Sequence, residues 1–149
     1  MKMPTDRPTA ADSRHHVAIT TRWMDNDVYG HVNNVTYYSY FDTAANRYLI
    51  DHGGLDIHTS PVIGLVVESA CQYHAPVAFP AALRAGLRVD RLGQRAVTYG
   101  IAIFVEGEDL AVAHGHFVHV FVDRASRTAV PIPPALRAAL ESISVNHTR

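Results

Sequence analysis

Residues 34–54 read NVTYYSYFDTAANRYLIDHGG, and they predict the helix around which the rest of the chain is arranged. Gly53 and Gly54 end the pattern, as glycine commonly does at the end of a helix. We therefore expect a helix of about five turns with a single apolar stripe. Its apolar side chains recur at steps of three and four residues, the spacing of one helical face: Val35, Tyr38, Phe41, Ala45, Tyr48 and Leu49.

The segments on either side of this helix have the composition of β-strands. Short links rich in proline and glycine separate the later segments, so we expect these strands to form an antiparallel meander. A short amphipathic helix is predicted near Leu136–Ile143. Strands grouped after one long helix indicate an α+β fold rather than an alternating α/β fold. The predicted strands lie near His15–Met24, Ile63–Phe79, Leu83–Leu92, Ala96–Glu106 and Leu110–Asp123.

One domain is predicted over residues 15–145. The 149-residue chain has about the length of an average domain and can bury a core without metals or disulfides. Residues 1–14 contain two prolines and little that could pack, so they are predicted to be a flexible N-terminal tail. Residues 146–149 are predicted to be a short C-terminal tail.

The composition excludes several classes of protein. Hydrophobic residues make up 48% and charged residues 18%, which is typical of a globular chain and not of a disordered one. The formal net charge of −1 gives no long-range attraction to nucleic acid or to an anionic membrane, so neither is expected as a partner. Cys71 is the single cysteine, and no apolar run is long enough to span a bilayer. We expect a cytoplasmic protein.

The last long strand predicts an oligomer, because both of its faces are apolar. The central helix can cover only one face, so the other is expected to be buried by a second subunit. At least a homodimer is predicted. Val112, Val118, Val120 and Val122 form one face, and Ala111, Ala113, Phe117 and Phe121 form the other.

The polar stretch before the helix, WMDNDVYGHVNN over Trp23–Asn34, contains the residues best suited to chemistry. A helix start has unpaired backbone N–H groups and partial positive charge, which can stabilise a developing oxyanion. A carboxylate just upstream, such as that of Asp27, can act there as a base or a nucleophile. Gly30 lets the backbone approach a ligand closely. The same residues also suit a purely structural role, because such residues are common in turns and helix caps.

With its neighbours, this stretch resembles the 4-hydroxybenzoyl-CoA thioesterase-type branch of the hotdog-fold acyl-CoA thioesterases. The matching pattern is R-W-x-D-x-D-x-x-G-H-V-N-N-x-x-Y-x-x-Y-F-D over Arg22–Asp42, and weaker matches extend the resemblance over residues 15–140. It implies a five-stranded antiparallel sheet wrapped around one long central helix, in homodimers or tetramers with active sites at the interface. It also implies that Asp27 is the catalytic carboxylate and that the backbone amide of Asn34 polarises the thioester carbonyl.

Further residues are expected near the substrate. Gly30 and His31 belong to the motif, and His31 suits either a structural or a substrate-facing role. Val67 and Glu68, neighbours in a strand, are also predicted to bind substrate. As a mid-strand carboxylate Glu68 needs a partner, so it either lines the site or pairs with an arginine. Arg91 and Arg95 flank a predicted turn, with Arg84 and Arg88 nearby. This arginine cluster is expected to meet the phosphates of coenzyme A, and the alternative is that its members are solvated charges of a hairpin.

The resemblance implies hydrolysis of an acyl-CoA or acyl-carrier-protein thioester to free acid and thiol. It leaves open whether Asp27 acts as nucleophile or general base. One alternative is a non-catalytic module that binds acyl thioesters, and another is a hydratase, which would need a histidine base. No cofactor is expected beyond the coenzyme A of the substrate. No metal is expected either, because the pair His114 and His116 lacks a third ligand at a suitable spacing.

Overall fold

The computed structural model of the chain describes residues 7–145. Five strands form one antiparallel sheet, and the long helix lies against one of its faces. This arrangement confirms the predicted α+β fold with a sheet around one central helix. The elements are β1 His15–Thr20, α1 Thr36–Gly53, β2 Val62–Tyr73, β3 Ala82–Leu92, β4 Ala96–Val105, β5 Ala113–Asp123 and α2 Pro134–Ser142.

Helix α1 has the predicted length and ends as predicted, at a Gly54 with a left-handed φ of 73°. The buried face at the start of the helix differs from the predicted one. Tyr37 and Tyr40 face the core, whereas Val35 is 61% exposed and Tyr38 is half-buried. The prediction that Val35 belongs to the stripe is therefore wrong, whereas Tyr38 packs against the core from its edge. Further along, Phe41, Ala44, Ala45 and Leu49 have no exposed surface. No helix within residues 7–145 is long and apolar enough to cross a membrane.

The strand order β1-β3-β4-β5-β2 corrects one detail of the predicted topology. Strands β3, β4 and β5 form a meander, but β2 pairs with β5 and not with β3. The reason is the link over residues 74–81, which carries the chain past the start of α1. There the carbonyl of Val77 accepts a 2.8 Å hydrogen bond from the N–H of Val32. Strand β2 is thereby left at an edge of the sheet, where Val67 is 60% exposed.

The described part of the predicted N-terminal tail lies on the outer face of the sheet. The Arg7 guanidinium donates two hydrogen bonds to the carbonyl of Ala111, at 2.8 and 3.0 Å, and Thr9 pairs with Leu110. Ala10 packs on a small apolar cluster formed by Ala102, Phe104 and Ala111. The expectation of a flexible segment does not anticipate these contacts, since they depend on residues about a hundred positions away. Residues 1–6 and the predicted tail at 146–149 lie outside the described residues.

One histidine lies inside the core. His119 on β5 is 1% exposed, and its Nδ1 is 3.1 Å from the hydroxyl of Tyr99. The rings of Phe117 and Phe121 flank it. Burial lowers the pKa of His119 to about 4, because a charged imidazolium is poorly solvated there. His119 is therefore a neutral core residue at physiological pH.

Candidate active site

The loop between β1 and α1 is anchored by the carboxylate of Asp25, both of whose oxygens accept hydrogen bonds. Asp25 is 1% exposed and accepts a 2.7 Å hydrogen bond from the Tyr40 hydroxyl. The Arg22 backbone N–H and guanidinium donate to the same carboxylate at 2.9–3.0 Å. Burial alone would raise the pKa of Asp25, but these hydrogen bonds outweigh it and hold the pKa below the usual value. Asp25 ties the loop to the helix and has a structural role.

The next residues form a tight turn whose geometry requires glycine. The N–H of Asp27 donates to the carbonyl of His31 at 2.9 Å, and the N–H of Gly30 donates to the carbonyl of Asp27 at 3.0 Å. Gly30 has a φ of 87°, a conformation in which a side chain is strained. Val32, which is 6% exposed, then returns the chain to the core. The turn is therefore held at a fixed position relative to α1.

Asp27 is half-buried and uses only part of its hydrogen-bonding capacity. Its Oδ1 accepts a 2.9 Å hydrogen bond from the backbone N–H of Tyr29. No hydrogen bond to its Oδ2 occurs among residues 7–145. A carboxylate oxygen has lone pairs for more than one donor, so Oδ2 can accept a proton or a hydrogen bond from another molecule.

The start of α1 leaves the backbone N–H of Asn34 without an acceptor in the described part of the chain. The Asn33 side chain stabilises the turn just before the helix, because its Oδ1 accepts from the N–H of Val35 at 3.1 Å. The carbonyl of Asn34 accepts a 2.9 Å hydrogen bond from the Tyr73 hydroxyl. This contact orients the peptide group that follows Asn34. The exposed N–H of Asn34 is therefore an available donor at the positive end of the helix.

Asp27, His31 and Asn34 line one open depression of about 380 Å³. The structure thus brings together the two residues predicted to be catalytic and one predicted to bind substrate, while Gly30 shapes the turn beside them. None of the other residues of the wall is predicted from the sequence to have a site role. Tyr37 lies in an aromatic-rich helix start, and the end of β2 carries no catalytic motif. The remaining wall consists of Val32, Tyr37, Tyr73, His74, Ala75 and Pro76.

Val67 and Glu68 lie in the middle of β2, away from this depression. Val67 sits at a bulge of the edge strand. The carboxylate of Glu68 is 2.7 Å from Nε2 of His116 across the sheet, so its partner is a histidine and not an arginine. His114 is hydrogen-bonded to His74, with 2.8 Å between Nδ1 and Nε2. Within residues 7–145, no group of three potential metal ligands is formed.

Arg91 and Arg95 lie at the opposite end of the sheet from Asp27. They flank the β3–β4 turn, where Ala96 pairs with Val120, whereas Tyr73 pairs with Ala113. The span from Ala113 to Val120 along β5 corresponds to about 23 Å of strand. Both arginines are exposed. Within one chain they cannot contact a ligand group held at Asp27.

Arg84 and Arg88, the other two members of the predicted cluster, already have acidic partners. Arg84 is 3.4 Å from Glu106, and Arg88 is 2.8 Å from Asp90. These two guanidinium groups lie on the outer face of the sheet and are partly neutralised there. The arginine cluster is therefore less concentrated than its sequence spacing indicates.

Several solved structures share this architecture. The PA5185 protein from Pseudomonas aeruginosa strain PAO1 is 56% identical, with 95% of this chain and 99% of that chain covered at a TM-score of 0.92. The PA2801 protein from Pseudomonas aeruginosa is 30% identical, with 84% and 96% covered and a TM-score of 0.76. A 1,4-dihydroxy-2-naphthoyl-CoA thioesterase from Synechocystis is 16% identical, with 89% and 98% covered and a TM-score of 0.76, which shows the shared fold.

A comparison with models of protein families agrees with these structural similarities. No curated protein matches significantly. The model of the thioesterase-like superfamily matches residues 21–140, which include the turn at Asp27, helix α1 and the whole sheet except β1. The resemblance found in the sequence is thereby confirmed, and so is the hotdog fold. This chain belongs to the thioesterase-like superfamily.

Proposed function

We propose that this protein hydrolyses acyl-CoA thioesters in the depression at the start of α1, with Asp27 and the Asn34 amide as its catalytic groups. One observation carries the proposal: a carboxylate with an available oxygen lines the same depression as a helix-start N–H that has no acceptor among the described residues. This is the pairing that acyl transfer needs, a base or nucleophile beside a donor for the oxyanion. The Synechocystis thioesterase of the same fold acts on a CoA thioester, which supports this substrate class.

In the proposed reaction the thioester carbonyl oxygen accepts a hydrogen bond from the N–H of Asn34. Asp27 takes a proton from a water molecule, whose oxygen attacks the carbonyl carbon. As the tetrahedral intermediate collapses, the C–S bond breaks and the thiolate leaves. The proton held by Asp27 then passes to the sulfur, so that the products are a carboxylic acid and a thiol. The N–H of Tyr29 keeps Oδ1 in place throughout, because it is part of the turn.

The proposed active enzyme is a homodimer or a larger homo-oligomer. Strand β2 is an edge strand of 12 residues with exposed side chains at Val66 and Val67, and such an edge is a surface for pairing. Tyr73 lies at the end of the same strand and reaches Asn34, so a second copy paired along β2 is adjacent to the depression. Arg91 and Arg95 can then meet coenzyme A phosphates only at a site shared between copies.

A screen of short, long and aromatic acyl-CoAs with a thiol-detecting dye tests the proposal. We expect thiol release from at least one class, with acyl carrier protein thioesters tested in parallel. Tight binding of an acyl-CoA without thiol release would instead identify a non-catalytic binding module. Loss of enoyl-CoA absorbance without thiol release would identify a hydratase.

A further inference from the structure

Four tyrosines of this chain are almost completely buried, and one of them differs from the rest. Tyr37, Tyr40, Tyr48 and Tyr99 are at most 4% exposed. A buried hydroxyl without a partner is costly, so buried tyrosines normally have one.

Three of the four follow this rule. Tyr40 donates to Asp25, Tyr48 donates to the carbonyl of Ala139 at 2.6 Å, and Tyr99 contacts His119. The hydroxyl of Tyr37 has no hydrogen-bond partner among residues 7–145. Its ring is held edge-on by the rings of Tyr40 and Tyr73, with centroids 5.7 and 5.2 Å away. The ring is therefore fixed while its polar atom is unsatisfied.

Tyr37 lies directly inside the candidate active site. It lines the depression with Asp27 and Asn34, and it follows Asn34 by three residues, which places it one helical turn deeper. Phe41 and Ala44, further along the helix, have no exposed surface and are not part of the wall of the depression. An acyl group whose carbonyl is held at Asn34 and which points inward meets the Tyr37 side chain.

We propose that the hydroxyl of Tyr37 donates a hydrogen bond to an oxygen of the acyl group and so selects acyl groups that carry a hydroxyl or keto substituent over plain hydrocarbon ones. This inference rests on the proposed thioesterase function, because it assigns a role in the same depression. A site with a buried polar group discriminates against a ligand that leaves this group unpaired. Burial, and to a lesser extent the nearby Cys71, raise the pKa of Tyr37 to about 12, so the phenol is a donor at neutral pH.

The test compares matched acyl-CoA pairs that differ by one oxygen: butyryl with 3-hydroxybutyryl, and benzoyl with its hydroxylated forms. Dissociation constants are measured for non-hydrolysable thioether analogues, so that affinity is read even where turnover is absent. For at least one pair, we expect the wild-type protein to bind the oxygen-bearing member about tenfold more tightly, as one hydrogen bond allows. In Tyr37→Phe this ratio falls to about one.

The matched control is Tyr40→Phe, which removes a hydroxyl from the neighbouring buried ring. Tyr40→Phe should keep the affinity ratio but lower the melting temperature, whereas Tyr37→Phe should melt at or above the wild-type temperature. The inference is overturned if Tyr37→Phe keeps the wild-type affinity ratio or melts at as low a temperature as Tyr40→Phe. It is also overturned if the wild-type protein binds both members of every pair equally well. Absence of thiol release from every acyl-CoA would instead overturn the proposed hydrolysis, and the affinity ratios would still be measured.

Discussion

Two halves of the same loop use their polar groups in opposite ways. In the first half, the Asp25 carboxylate is buried and accepts hydrogen bonds from Arg22 and Tyr40. In the second half, Asp27 is half-buried and accepts one hydrogen bond, and the N–H of Asn34 donates none within the described residues. The comparison shows that two aspartates two positions apart are distinguished by their remaining hydrogen-bonding capacity. A polar group whose hydrogen bonds are all made holds the structure, and one with remaining hydrogen-bonding capacity is available for a substrate.

The largest effect expected from this comparison is on activity. Asp27→Asn keeps an Oδ1 acceptor for the N–H of Tyr29, so the turn should persist while the negative charge is lost. We expect kcat to fall by about 10²-fold or more, the range for a removed general base. The measurement is thiol release from the best acyl-CoA found in the screen.

A matched control for Asp27→Asn is Asp123→Asn, because Asp123 also caps a turn, accepting from the N–H groups of Ala125 and Ser126. This variant should keep wild-type activity. Wild-type turnover by Asp27→Asn would show that the carboxylate is not the catalytic group.

The next effect is on stability, in the first half of the loop, which Asp25 anchors. Tyr40→Phe removes the 2.7 Å hydrogen bond to Asp25, and we expect the free energy of unfolding to fall by about 1.5–3 kcal/mol, as for a bond to a charged group. Since the folded pKa of Asp25 is lowered, its contribution is present above the ordinary aspartate pKa and is lost as pH falls through the folded pKa.

Without the Tyr40 hydroxyl that folded pKa is higher, so the acid loss should begin at a higher pH than in the wild-type protein. Urea unfolding at several pH values measures both effects. Unchanged stability at every pH would mean that Asp25 is not the anchor that its hydrogen bonds indicate.

A third effect concerns the polar pair in the core, His119 and Tyr99. The unfolded chain takes up the histidine proton near pH 6.5, whereas folded His119 takes it up only near pH 4. Lowering the pH between these values should therefore reduce the free energy of unfolding by up to about 1.4 kcal/mol per pH unit. His119→Gln should flatten this part of the pH dependence. The exposed His58→Gln serves as control, and an equal flattening there would contradict the assignment.

The smallest effect expected is at the turn itself. Gly30→Ala places a Cβ on a residue with a φ of 87°, where there is open space but the backbone is strained. We expect a loss of about 1 kcal/mol, and a smaller loss in Gly30→Asn because asparagine tolerates this region better. Thermal unfolding measures both. Equal losses in the two variants would show that crowding and not φ decides the cost.

The sequence predicted α1 and the strands well because their patterns are local. The spacing of apolar residues and the terminal glycines already define a helix, and the polar stretch before it contains Asp27 and Asn34, which line one depression. The partner of β2 was predicted incorrectly, because short links favour neighbouring strands. Nothing local in residues 74–81 shows that they pass the start of α1.

The part of the candidate site that the sequence does not predict also depends on contacts between residues far apart in the chain. Tyr73 is 39 residues from Asn34 in sequence, and only the folded sheet brings its hydroxyl to that carbonyl. Arg91 is predicted near the substrate from its residue type, but position along a strand decides distance, and within one chain it lies at the opposite end of the sheet from Asp27. Tyr37 belongs to an aromatic-rich helix start. That its hydroxyl has no hydrogen-bond partner among residues 7–145 can be recognised only in the folded structure, where all neighbouring donors and acceptors have positions.

The N-terminal strap over residues 7–13 has a consequence for handling the protein. It covers Phe104, which has no exposed surface, together with Ala102 and Ala111. A protease that trimmed the chain to residue 14 would uncover this apolar patch on the outer face without touching the loop that contains Asp27. Such a shortened protein would keep the loop before α1 and gain an exposed apolar patch, so clipping would first be noticed as precipitation during storage.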